Sequence, residues 1–125
     1  MVKRVRVLLA DDQVHVRSAL RLLLENEPQI EVVGEAAETA SLLAQINTLH
    51  PDLVLLDWEL PGQQGSDLLA TLRLQHPQLL VVALSGRSEA YNRATQAGVD
   101  AFISKGDPPS CVLSVLRGLN IRNKE

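Results

Sequence analysis

Short, unbroken apolar runs recur along this chain and alternate with stretches of helical spacing. The runs are Val5 to Ala10, Val32–Val33 after Ile30, Leu53 to Leu56, Leu79 to Leu84, and Ala101 to Ile103. Most do not alternate polar and apolar residues. Such runs suit strands covered on both faces, the habit of parallel sheets. Between them, Val16, Leu20, Leu23 and Leu24 follow the i, i+4, i+7, i+8 spacing of one helix face. Leu42, Leu43, Ile46 and Leu49 do the same, as do Leu68, Leu69 and Leu72, and later Val112, Val115, Leu116 and Leu119. A fourth helical segment, Glu89 to Ala97, is short and poorly apolar, with Gly98 placed to cap it. Pro28, Pro51 and Pro77 stop the first three helices and send the chain into the next strand. Ser66 or Gly65 can open the third helix, Ser88 the fourth, and Asp107 before Pro108 the fifth. The spacing predicts (βα)5, a doubly wound α/β domain with a parallel sheet.

The 125 residues fit one domain, spanning 1–125, and leave no room for an effector domain within them. Lys and Arg number 12 against 15 Asp and Glu, for a net charge of -3. That balance gives no footprint for phosphate backbones, so direct nucleic-acid binding is disfavoured. Cys111 is the single cysteine, so neither an internal disulfide nor a cysteine metal site is available. The apolar run at the N-terminus is too short and too charged for a membrane span or signal segment, and a cytoplasmic protein is expected.

In open parallel sheets, ligands bind beyond the carboxyl ends of the strands. Asp11 and Asp12 follow the first strand, Asp57 the third, Ser85 and Gly86 the fourth, and Ser104 and Lys105 the fifth. Alone, each has a plain reading: helix cap, turn former or solvated charge. Together they bring three carboxylates, a hydroxyl and an ammonium to one sheet edge. Converging carboxylates repel and raise one another's pKa. A hard cation such as Mg2+ relieves that repulsion, using one or two carboxylates plus a phosphate. Lys105 supplies positive charge for a phosphoryl group.

These residues carry a resemblance to the receiver domain of bacterial response regulators over essentially the whole length. The match rests on Asp11–Asp12, on Asp57 with Pro61–Gly62 behind it, on Ser85–Gly86, on Gly98 to Asp100, and on Lys105. The resemblance implies a flavodoxin-like sheet of order 2-1-3-4-5, an order for which a member of this family is a standard example. It implies that Asp57 is the phosphoacceptor for a sensor histidine kinase or phosphotransfer protein. It implies Mg2+ held by Asp12, Asp57 and the backbone carbonyl of Glu59, with Asp11 acting through water. Lys105 and Ser85 would contact the phosphoryl group, and Ser85 and Phe102 would form the switch pair. Glu59 and Arg87 flank the path of attacking water, and an ion pair between them would tune phosphoryl lifetime. Ser85 stands where threonine is frequent, Phe102 where tyrosine is frequent, and Gly106 where proline is common. A cis peptide at Gly106 would cost about 3 kcal/mol.

The texture of the first helix resembles receivers that precede a LuxR/FixJ-type DNA-binding domain. The expected output is therefore transcriptional control through a C-terminal domain outside these residues, with a stand-alone receiver or phosphorelay module as the alternative. Leu22 and Leu113 lie off the core stripes, which places a homodimer surface on the first and fifth helices. The face of the fourth helix, fifth strand and fifth helix is the other option. Enzyme classes fit poorly. A haloacid-dehalogenase-like phosphatase needs an aspartate where Glu59 stands. The glycine-rich phosphate loops of NTPases and dinucleotide enzymes are absent. A nucleophile elbow would need glycine at Ala83.

Overall fold

The computed structural model describes residues 4–119. Strands and helices alternate throughout: β1 (Val5–Ala10), α1 (Val14–Glu25), β2 (Ile30–Ala36), α2 (Thr39–Leu49), β3 (Leu53–Asp57), α3 (Gly65–Gln75), β4 (Leu80–Ser85), α4 (Ala90–Ala97), β5 (Ala101–Ser104) and α5 (Pro109–Gly118). All pairings are parallel, and the sheet runs β2-β1-β3-β4-β5. This is the expected (βα)5 arrangement and order.

The unbroken runs have a direct cause. On one face Leu8, Ala10, Val54, Leu56, Val81 and Ala83 pack against α2, α3 and α4. On the other, Val7, Leu9, Leu53, Leu55, Val82 and Leu84 meet Leu20 and Leu24 of α1 and Val112 and Leu116 of α5. Alternate residues of one strand therefore enter different cores, and both must be apolar. No helix among the described residues is long and apolar enough to cross a membrane.

Several boundaries differ from expectation for local reasons. β2 is longer than its short apolar run, because as an edge strand it is only half covered. Its register against β1 shifts between Val7 and Leu8, leaving Val33 as the extra residue of a bulge. Gly34 follows, where a Cβ would strike the side chains of Gln45 and Leu8. α5 starts at Pro109, not Pro108. The residue before a proline is pushed out of the helical region, and Pro108 accordingly has φ -60° and ψ 150°. α4 begins at Ala90 after a turn at Ser88–Glu89, one residue later than Glu89. Gly98 caps it with φ 102°. Gly65 opens α3 without a side-chain cap. A Cβ on Gly65 would lie 2.6 Å from the Trp58 ring, so the helix start is packed onto that indole. Leu22 is exposed, as anticipated, but Leu113 is half-buried against the α1–α5 core and does not lie free. The peptide bonds of the described residues include no cis form, so Gly106 follows Lys105 through an ordinary trans link.

Candidate functional site

The carboxyl ends of β1, β3, β4 and β5 meet at one edge, and the chemistry-bearing residues meet with them. Oxygens of Asp11, Asp12 and Asp57 all lie within 4.8 Å of one another. Asp11 and Asp57 are buried, while Asp12 is exposed. Asp11 is held by local geometry: its Oδ1 accepts the Gln13 N–H at 2.9 Å. Its backbone carbonyl accepts from the Arg17 guanidinium at 2.6 Å. Arg17 also reaches Glu35 at 2.8 Å, and Arg21 joins the same carboxylate at 2.5 Å. Burial works against the Glu35 carboxylate, but Arg21 and Arg17 hold its pKa below the usual range. The loop carrying the acidic pair is thus tied to α1 and to the end of β2.

Lys105 reaches into the cluster from the end of β5. Its Nζ lies 2.7 Å from Asp11 Oδ2 and 3.5 Å from Asp57 Oδ2. It also lies 3.3 Å from Gln13 Oε1. Burial opposes the ammonium, yet the facing Asp11 and Asp57 carboxylates hold its pKa above the ordinary lysine value. Asp57 Oδ1 accepts the Glu59 N–H at 2.9 Å. Burial dominates its titration: it is 2% exposed, and its pKa is pushed up to about 6 against the opposing Glu59 hydrogen bond, with Asp11 adding to the rise.

The pocket fits a hard divalent cation by its donors. Asp11 Oδ2 is buried and has the Lys105 ammonium at 2.7 Å as its one charged partner, while the Asp12 and Asp57 oxygens lie within 4.8 Å of the Asp11 carboxylate. The ligand set is all oxygen and rich in charge, which suits Mg2+ rather than a soft metal.

Ser85 sits at the end of β4, 1% exposed. Its Oγ accepts the Arg87 N–H at 3.0 Å and donates to the Glu59 carboxylate, 2.9 Å from Oε1 and 3.0 Å from Oε2. The expected Glu59–Arg87 ion pair is therefore not formed. The Glu59 carboxylate turns to the Ser85 hydroxyl, and Arg87 contributes its backbone while its side chain stays exposed. Both residues still line a cleft of about 630 Å³ between the loop after β3 and α4. Phe102 is half-buried, and Tyr91 of α4 meets its ring edge-on at 5.4 Å and 89°. The loop after Asp57 is pinned to α2, since Thr39 N–H and Oγ1 both donate to the Pro61 carbonyl, at 2.9 and 3.0 Å. A Cβ on Gly62 (φ 119°) would collide with that threonine.

Sequence reasoning located every residue of the cluster and missed its supports: Gln13, Arg17, Glu35, Thr39 and Tyr91. Tyr91 had one available signal, as one of only three aromatic residues in the chain.

A parallel sheet of this order with an acidic pocket and a lysine at its edge is the arrangement that the resemblance to receiver domains led one to expect. Residues 7–116 match the family model described as response regulator receiver domain, and the chain belongs to that family. Among curated proteins it is 33% identical over 114 residues to the nitrate/nitrite response regulator protein NarP of Escherichia coli, covering 90% of this chain and 53% of NarP. It is 40% identical over 105 residues to protein-glutamate methylesterase/protein-glutamine glutaminase 2 of Cereibacter sphaeroides, covering 82% of this chain and 29% of that protein. The chain thus spans about half or less of these two relatives. Among solved structures, the signal receiver domain of the response regulator NarL from Mycobacterium tuberculosis superposes with a TM-score of 0.81 at 28% identity, covering 94% of this chain and 99% of that one.

Proposed function

We propose that this domain is a switch operated by phosphorylation of Asp57, with a phosphohistidine on a sensor kinase or phosphotransfer protein as donor. One observation carries the reading: three carboxylates meet within 4.8 Å and Lys105 stands 2.7 Å from Asp11 and 3.5 Å from Asp57. An Asp57 carboxylate oxygen attacks phosphorus. A P–O bond forms, the P–N bond breaks, and its electron pair leaves with the imidazole nitrogen, which takes up a proton. Lys105 offsets the charge arriving on the phosphoryl oxygens. Asp12, Asp57 and the Glu59 backbone carbonyl would hold Mg2+, with Asp11 acting through water, and the ion supplies the positive charge that in-line transfer requires. Ser85 then donates to the phosphoryl group, and Phe102 repacks as the local charge biases a two-state surface.

The output is read as transcriptional control through a C-terminal DNA-binding domain, with homodimerisation on phosphorylation; the LuxR/FixJ-like texture of the first helix supports it, as does a solved LuxR-family two-component response regulator, 26% identical over 92% of this chain with a TM-score of 0.83. The methylesterase relatives support a second reading, in which the same switch governs a fused enzyme.

Trp58 is the only tryptophan and adjoins Asp57. Its fluorescence should respond to Mg2+ and again to a small-molecule phosphodonor. Asp57→Asn should abolish the second response. A full phosphodonor response in that variant refutes the acceptor role.

A further inference from the structure

We propose that the Glu59 carboxylate is a positioning group that latches Ser85 in the resting state and competes with the phosphoryl group for its hydroxyl proton. The inference rests on the phosphoacceptor reading of Asp57 and adds what opposes the switch.

Ser85 is cut off from water, at 1% exposed, so its hydroxyl must find partners within the protein. A hydroxyl has one proton to give. Its oxygen already accepts the Arg87 N–H at 3.0 Å. The proton is thereby turned toward Glu59, whose two oxygens straddle it at 2.9 and 3.0 Å. A phosphoryl group on Asp57 cannot take that proton until Glu59 gives it up. The anchoring is mutual, because the Glu59 backbone N–H is bonded to Asp57 Oδ1 at 2.9 Å. The residue that releases Ser85 is therefore tied to the carboxylate that receives the phosphoryl group. The Glu59 side chain, unlike its backbone, meets the phosphoryl site only through Ser85, so the effect of altering that side chain should vanish without the hydroxyl.

A second route to a similar effect exists: the Glu59 charge could simply repel an anionic phosphoryl group. A double-mutant cycle separates the two. The probe is beryllofluoride in the presence of Mg2+, with affinity read from Trp58 fluorescence, on the chain as it stands. Glu59→Ala should tighten binding about tenfold, the worth of one hydrogen bond to a charged acceptor. In a Ser85→Ala background the same change should matter less than about threefold, because only charge remains. Glu59→Gln keeps an oxygen acceptor and loses the charge, so it should stay closer to wild type than Glu59→Ala does. Independently of metal, Glu59→Ala should shift the Arg87 amide resonance in protein free of Mg2+, and should not do so when Ser85 is already alanine. Equal factors in both backgrounds, or Glu59→Gln as effective as Glu59→Ala, would assign the effect to charge and overturn the latch. No change in affinity would overturn it as well. A wild-type protein that ignores beryllofluoride while the Arg87 resonance still responds would instead count against the phosphoacceptor reading.

Discussion

Asp57→Asn makes the metal-free protein more stable than wild type at pH 7, by on the order of 2–3 kcal/mol. The cause is burial of a carboxylate that is 2% exposed and whose pKa is pushed up to about 6. The unfolded carboxyl titrates near its ordinary value, about two units lower. Below that value both states are protonated and the group is neutral in its effect. Between the two values the unfolded chain releases its proton while the folded chain keeps it, and stability falls. Above about 6 the folded protein also carries the charge, and the loss is complete. Asparagine removes the charge at similar volume. The stability difference between variant and wild type, measured by urea unfolding in chelator, should be small near pH 4, grow through pH 6 and level off. A difference independent of pH would mean that burial of the charge is not its source. The same burial is what a divalent cation would relieve, so the strain in the resting site and its affinity for Mg2+ share one origin.

Lys105→Met should act in the opposite direction. It removes the ammonium 2.7 Å from Asp11 Oδ2 and 3.5 Å from Asp57 Oδ2, and leaves two buried carboxylates facing each other. Removing one partner of a buried pair costs about 3 kcal/mol when the other charge stays uncompensated. Methionine keeps most of the volume, so packing contributes little. The loss should be greatest at pH 7 and shrink at pH 5, where the raised Asp57 carboxyl protonates. Added Mg2+ should recover part of it by binding the folded state alone. Equal destabilisation at pH 5 and pH 7, with no recovery by Mg2+, would reduce Lys105 to a packing role.

How much of this was legible in the sequence follows from how each residue obtains its position. β3, β4 and β1 from Val7 onward were readable because strands between two helical layers must be apolar at every step, and Leu53 to Leu56 are buried without exception. Edge strand β2 was only partly readable, because the exposed Glu31 and the half-buried Glu35 interrupt the apolar signal. The start of α5 was missed by one residue, although Pro109 after Pro108 carried the information. The site residues were legible because strand ends place them without further help. Side-chain partners were not. The choice of Glu59 between Arg87 and Ser85 depends on where the Arg87 N–H points, which no spacing rule encodes. Likewise, Tyr91 against Phe102 is a contact between α4 and β5 that only the assembled sheet creates.

An acyl phosphate on Asp57 can be trapped chemically at the residue that carries it. The protein is incubated with Mg2+ and a small-molecule phosphodonor, reduced with borohydride, digested and mapped by mass spectrometry. An aspartyl phosphate is reduced to homoserine, so homoserine is expected at position 57 alone, and none in Asp57→Asn or when Mg2+ is chelated. Homoserine at another aspartate, or undiminished phosphorylation of the Asp57→Asn protein, would contradict Asp57 as the acceptor.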